Sequence, residues 1–182
     1  MTDLTPTIAA NLAEPPLILA LDIGSSSGRS VESVEARRPF QMSYSADGGA
    51  EVGAELLLRL ACACIDDVLA QAGALSTAIA GVAGCSFVNN VLGVDAMGHP
   101  VTPVTSYADT RSAGEVAVLR AEYDEDEIHQ RTGCLFHPSY LPARLRWMAH
   151  ARPDWLVSAA RWLSLGEFLE LRLFGDAAVS HS

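Results

Sequence analysis

The sequence predicts an α/β domain in which helices flank a mixed sheet. Three observations carry this expectation. Leu17 to Leu21 is an unbroken apolar run that ends in Asp22 and then in a turn of small residues, Gly24, Ser25, Ser26, Ser27 and Gly28. A short apolar run bounded by turn signals reads as a buried strand. Glu51 to Gly73 then carries Leu56, Leu57, Leu60, Cys64, Val68 and Leu69 at helical spacing and stops at a glycine. Beyond it, strand-like and helix-like patterns alternate, the signature of an α/β arrangement.

The elements follow in order. Residues 1–16 read as a flexible leader closed by Pro15 and Pro16. After the first strand, Gly28 to Ala36 and Pro39 to Ser45 read as extended runs, making an antiparallel meander that ends at Asp47, Gly48 and Gly49. Ile79 to Cys85 is a strand of small residues, which permit close backbone approach. Val91 to Asp95 and Val101 to Tyr107 are two more extended segments around a turn at Ala96 to Pro100. Asp109 is expected to open a helix, because an acid suits a helix N-terminus. The acidic run Asp124 to Glu127 begins a short helix ending near Gly133. Leu141, Leu145, Met148 and Ala149 form a helical stripe stopped by Pro153, a helical pattern continues from Trp155 to Trp162, and Leu165 to Phe174 is a last helix closed by Gly175. Trp147, Trp155 and Trp162 are expected in the core.

Composition bounds the function. The chain has 182 residues, 49% of them apolar and 19% charged, so it can bury a core and should be globular. Its net charge of −10 argues against nucleic acid and anionic membranes, both of which require a basic face. Residues 1–16 lack the basic and apolar pattern of a signal peptide, and no window is long and apolar enough to span a bilayer. Cys62, Cys64, Cys85 and Cys134 show no metal-ligand spacing and read as reduced, mostly buried thiols of a cytoplasmic protein.

Chemistry concentrates at the end of the first strand. Asp22 could hold Mg²⁺ as one carboxylate among phosphate and water ligands. Gly24 would let backbone N–H groups approach a phosphate, with hydroxyls from Ser25 to Ser27 and charge from Arg29 beside them. Taken alone, the same residues also describe a core strand ending in an ordinary turn, with Asp22 bonded to its own backbone. The segment is neither a Walker loop nor a G-x-G-x-x-G loop.

Several stretches together resemble the FGGY family of carbohydrate kinases. D-I-G-S-S-S-G-R at Asp22–Arg29 is similar to the family's D-I-G-T-[ST]-S-x-[KR], and L-G-V-D-A-M-G-H-P-V-T-P-V resembles its strand, turn and strand after the sugar-binding loop. Y-A-D-T-R-S resembles its W-x-D-x-R segment. Thr132-Gly133, then H-P-S-Y-L-P-A-R-L-R-W-M, then R-W-L-S-L-G-E-F-L-E-L-R-L-F-G resemble its later motifs, so the likeness runs from about Leu17 to Ser182. The wording around Gly133 and Ser164–Ser182 is similar to gluconate-kinase-like members.

That resemblance implies a ribonuclease-H-like fold of the actin and hexokinase superfamily. It also implies transfer of the ATP γ-phosphate, with Mg²⁺, to a hydroxyl of a sugar or sugar acid such as gluconate or xylulose. Asp22 would be the metal-site residue, Gly24, Ser25, Ser26, Ser27 and Arg29 would face the phosphates, and Asn89, Asn90, Asp109 and Arg111 would border the sugar. Val88-Asn89 stands where many members have Trp-His or Met-His, Tyr107 replaces a Trp and Arg144 a Lys. The family's catalytic base and second domain would lie beyond Ser182, so residues 17–182 are expected to be a truncated N-terminal kinase domain, inactive alone. Its partners would be a small-molecule sugar and either the missing C-terminal domain or a second copy through exposed apolar surface. The rival reading is a non-catalytic sugar-binding or assembly module that kept the fold. His137 is read as a capping or packing residue, Asp109 as ligand or helix cap, and Arg111 as the partner of a sugar carboxylate or of a surface acid.

Overall fold

A computed structural model describes residues 5–11, 16–24 and 33–178. The chain divides into two compact units, Met1–Met42 with Gly53–Phe87, and Ser43–Val52 with Val88–Ser182.

The first unit is a four-stranded sheet and one long helix. The strands are β1 (Thr5–Asn11), β2 (Leu17–Gly24), β3 (Ser33–Arg37) and, after two short strands of the other unit, β6 (Ile79–Ser86). Their order is β3-β1-β2-β6. β1 runs antiparallel to both β2 and β3, whereas β2 and β6 are parallel, so the sheet is mixed. Thr5–Asn11 falls in the stretch expected to be a loose leader, yet it fills an inner position of this sheet. Its local sequence, with Pro6 and polar neighbours, gives no strand signal; pairing on both sides supplies what propensity does not.

The apolar run of β2 has one buried face. Leu17, Leu19, Leu21 and Ile23 are buried, while Ile18 is 47% exposed. Strand alternation puts these two sets on opposite sides of the sheet. Helix α1 (Ala54–Ala72) packs on β1 and β3 with the stripe Leu57, Leu58, Ala61, Cys64, Val68 and Ala72 buried. Arg38 pairs with Asp67, and Gln71 donates to the Glu35 carbonyl at 3.3 Å, tying the helix to the β3 segment. Gly73, at φ 54°, ends α1 in a backbone conformation that favours glycine.

The second unit holds two small sheets and five helices among the described residues. One sheet is β4 (Ser43–Tyr44), β5 (Ala50–Val52) and β8 (Val104–Thr105), in the order β4-β5-β8. The other pairs β7 (Leu92–Val94) antiparallel with β9 (Arg161–Leu163). The helices are α2 (Ala113–Glu122), α3 (Glu125–Thr132), α4 (Leu141–Ala151), α5 (Pro153–Ser158) and α6 (Leu165–Phe174). The helix expected over Trp155–Trp162 therefore ends at Ser158, and its last residues form a strand. The reason is tertiary. The Ala160 N–H donates to the Val94 carbonyl at 2.8 Å, and β9 aligns Trp162 with Gly93. A Cβ at Gly93 would lie 2.8 Å from the Ala159 Cβ and 3.3 Å from the Trp162 ring, so only glycine fits that crossing.

Two clusters fill this unit. Val91, Met148 and Trp155 form one, with Leu145, Trp147, Leu156 and Trp162 packed on it; Val116, Leu119 and Ala143 form the other, with Phe136. The helix ends are capped locally. Asp124 accepts from the N–H groups of Asp126 and Glu127 to start α3, and Gly133, at φ 75°, closes it. Ser164 and Glu167 form a reciprocal capping box at α6. Of the four thiols only Cys64 is buried; Cys62 is partly buried, and Cys85 and Cys134 are exposed, which corrects the expectation of mostly buried cysteines. No helix among the described residues is long and apolar enough to cross a membrane.

Ser164→Ala should cost about 1 kcal/mol of stability, the usual worth of an N-cap, whereas Ser164→Asp should retain most of it. Urea denaturation followed by circular dichroism measures both.

Candidate functional site

Asp22 lies at the carboxyl end of β2, opposite Cys85 on the parallel strand β6. In open α/β sheets this end of parallel strands is where ligands are received. The Cys85 thiol donates to Asp22 Oδ1 at 3.2 Å. Partial desolvation first, and then the hydrogen bond to and charge of Asp22, push the pKa of the surface Cys85 thiol up, which keeps it protonated as a donor. The Asp22 carboxylate bends over Gly24. A Cβ built there would sit 2.9 Å from Asp22 Oδ1, so the glycine makes room for the acid. This cradle fits a metal–phosphate group held by one carboxylate together with phosphate oxygens and water. Among the described residues no cluster of three or more metal-ligating side chains exists. Ser25, Ser26, Ser27 and Arg29 lie outside the described residues.

The second unit contains a cavity of about 600 Å³, within the usual range for small-molecule sites. Asn89 and Asn90 line it at the turn after β6, and the segment from Thr132 through Tyr140 to Arg144 forms much of the rest. Asn89 has φ 50°, a left-handed conformation that asparagine tolerates better than most residues. The Asn90 carboxamide oxygen accepts from the Leu165 N–H at 2.5 Å, which binds this turn to the start of α6. The His137 ring lies 5.3 Å from that of Tyr140. Its Nδ1 accepts from the Ser139 N–H at 3.1 Å, leaving the ring proton of a neutral imidazole on Nε2. Arg144 is buried in the wall, where Nη1 donates to the Thr105 hydroxyl at 3.2 Å and Nη2 to the Ser106 carbonyl.

Asp109 and Arg111 do not line this cavity. They form a buried network of their own. Arg111 Nε donates to both Asp109 oxygens at 3.1 Å, and its Nη2 reaches Asp109 and Glu51 at 2.5 Å each. The guanidinium also lies 4.5 Å from the Trp147 ring centroid. Asp109 further accepts from the N–H groups of Ala50 and Arg111, at 3.2 and 3.1 Å. α2 begins only at Ala113, so Asp109 caps a turn and an arginine instead of a helix. The sequence pattern Asp-x-Arg signals the local pair, but Glu51 is 60 positions away and could not be anticipated.

Residues 17–182 match the model of the FGGY family of carbohydrate kinases, N-terminal domain. The chain belongs to this family. It is 35% identical to the autoinducer-2 kinase of Salmonella typhimurium over 127 residues, covering 68% of this chain and 24% of that protein. Among solved structures, xylulose kinase from Rhodospirillum rubrum superposes with a TM-score of 0.80 at 24% identity, covering 96% of this chain and 36% of that one. Gluconate kinase from Lactobacillus acidophilus gives 0.74 at 20% identity, over 87% and 33% of the two chains. The expected α/β fold of the actin and hexokinase type is thus the one observed. The FGGY chain spans about a quarter of the curated autoinducer-2 kinase it matches.

Asp109→Ala should destabilise the protein by about 3 kcal/mol, the low end for breaking a buried ion pair, because Glu51 remains as a carboxylate partner of Arg111. The double variant Asp109→Ala with Arg111→Met should recover part of that loss in the same denaturation experiment.

Proposed function

We propose that this chain is the phosphate-gripping and acceptor-binding part of a kinase that transfers the ATP γ-phosphate to a hydroxyl of a sugar or sugar acid, gluconate and xylulose being the compounds to try first. The observation that carries the reading is Asp22, which stands at the carboxyl end of a parallel strand with Gly24 cleared beneath its carboxylate. Mg·ATP supplies the transferable phosphoryl group and the charge that offsets its oxygens. Asp22 would orient the metal's water shell, and the turn Gly24–Ser27 with Arg29 would meet the phosphates. Asn89 and Asn90, together with His137, would hold the acceptor. Phosphoryl transfer depends mainly on positioning and charge neutralisation, so such groups suffice at this end of the reaction.

The base that takes the acceptor hydroxyl proton, and the nucleotide pocket, are assigned to the part of the relatives that this chain does not match. The relatives support the class of acceptor, being an autoinducer-2 kinase, a gluconate kinase and a xylulose kinase.

The test is ADP release from Mg·ATP with D-gluconate or D-xylulose, run on the 182-residue chain and on the whole open reading frame that contains it. The whole protein should turn over, and Asp22→Ala should lower its rate by about a hundredfold or more, as for loss of a charge-organising group. Unchanged turnover in Asp22→Ala would overturn the assignment. Robust turnover by the 182-residue chain alone would overturn the division of labour.

A further inference from the structure

Asp22 has a neighbour that the kinase reading leaves without a task. β2 and β6 run parallel and pair residue by residue toward their carboxyl ends: Ala20 with Ala83, Asp22 with Cys85 and Ile23 with Ser86. The Phe87 N–H donates to the Ile23 carbonyl at 2.8 Å, so the pairing continues past both Asp22 and Cys85. Side chains alternate along a strand, which puts Asp22 on the sheet face of Ile18 and Ala20, away from the buried Leu19, Leu21 and Ile23. The Cys85 thiol stands beside the Asp22 carboxylate and donates to its Oδ1 at 3.2 Å.

The two oxygens of that carboxylate are not equivalent. Oδ1 accepts from the thiol and lies over Gly24, 2.9 Å from where a Cβ would stand, whereas Oδ2 is 3.5 Å from the same point. The glycine admits the inward oxygen and the thiol holds it. The adjoining positions along β2 and β6, Ala20 and Ala83, carry methyl groups with nothing to donate. The terminal torsion of an aspartate is broad and roughly two-fold, so one donor to one oxygen is enough to bias the plane of the carboxylate.

We infer that Cys85 is a positioning residue for Asp22: its S–H holds Oδ1, so that Oδ2 is presented to the metal-bound water of Mg·ATP. The inference rests on the kinase reading of Asp22 and adds a residue that the sequence motifs leave out, where Cys85 is only one of four thiols without ligand spacing. Cys85 acts through the carboxylate and not on the reacting atoms. A thiol is a weak donor, so it orients Asp22 without competing strongly for its charge.

The test is calorimetric titration of the whole protein with Mg·ATP and, in excess chelator, with ATP free of metal. Cys85→Ala should weaken Mg·ATP binding about three- to tenfold, the worth of one hydrogen bond, and leave metal-free ATP binding unchanged. Cys85→Ser keeps a donor at that position and should stay within about twofold of wild type. Unchanged Mg·ATP affinity in Cys85→Ala would overturn the inference. So would equal weakening of both titrants, the mark of a packing role, or a Cys85→Ser variant as weak as Cys85→Ala. Failure of the kinase reading has a different signature: wild type does not bind Mg·ATP, or Asp22→Ala binds it equally well. If Asp22→Ala loses Mg·ATP affinity while Cys85→Ala keeps it, Cys85 alone is removed from the site.

Discussion

The second unit is built around the Arg111 guanidinium. It joins the loop at Asp109, strand β5 through Glu51, and helix α4 through Trp147, three segments distant in sequence. Gly49 belongs to the same constraint. A Cβ there would crowd the Ser45 hydroxyl and lie 3.1 Å from Arg111 Cζ, so a side chain just before β5 would press on both groups. Removing Arg111 would leave two carboxylates facing each other, and removing Asp109 would leave the arginine with Glu51 alone as its carboxylate partner.

That constraint bears on the cavity. The Thr105 and Ser106 oxygens that hold Arg144 belong to β8 and the residue after it, and β8 pairs with β5, the strand that carries Glu51. The same small sheet therefore fixes one arginine between carboxylates and leaves another facing neutral oxygens. Asn90, which also lines the cavity, ties the turn after β6 to α6, whose start is fixed by the Ser164–Glu167 box. The two asparagines differ: the Asn90 carboxamide oxygen accepts from a helix N-terminus, whereas Asn89 is exposed in a left-handed conformation beside the cavity.

Much of this was legible in the sequence because it is local. The α1 stripe from Leu57 to Val68, the strand ending in Asp22, the capped α3 and the Gly175 stop all follow from periodicity and end signals within a few residues. What escaped depends on partners far along the chain. Thr5–Asn11 is a strand because β2 and β3 flank it, and Arg161–Leu163 is a strand because β7 is there to pair with it. The one-sided burial of β2 escaped as well, since an apolar run reports hydrophobicity and not how many faces are covered. The place of Asp22 near the carboxyl end of a strand was evident from the apolar run before it. The engagement of Arg111 by Glu51 and the isolation of Arg144 were not, because charge pairing across 60 residues leaves no mark in spacing.

We propose that a strand-end aspartate in this FGGY chain serves phosphoryl transfer to a carbon-bound hydroxyl. ³¹P nuclear magnetic resonance of the whole protein with Mg·ATP and D-gluconate tests it most directly. The account predicts a new phosphomonoester resonance that grows in step with ADP and is absent without the acceptor. ADP accompanied only by inorganic phosphate would contradict it.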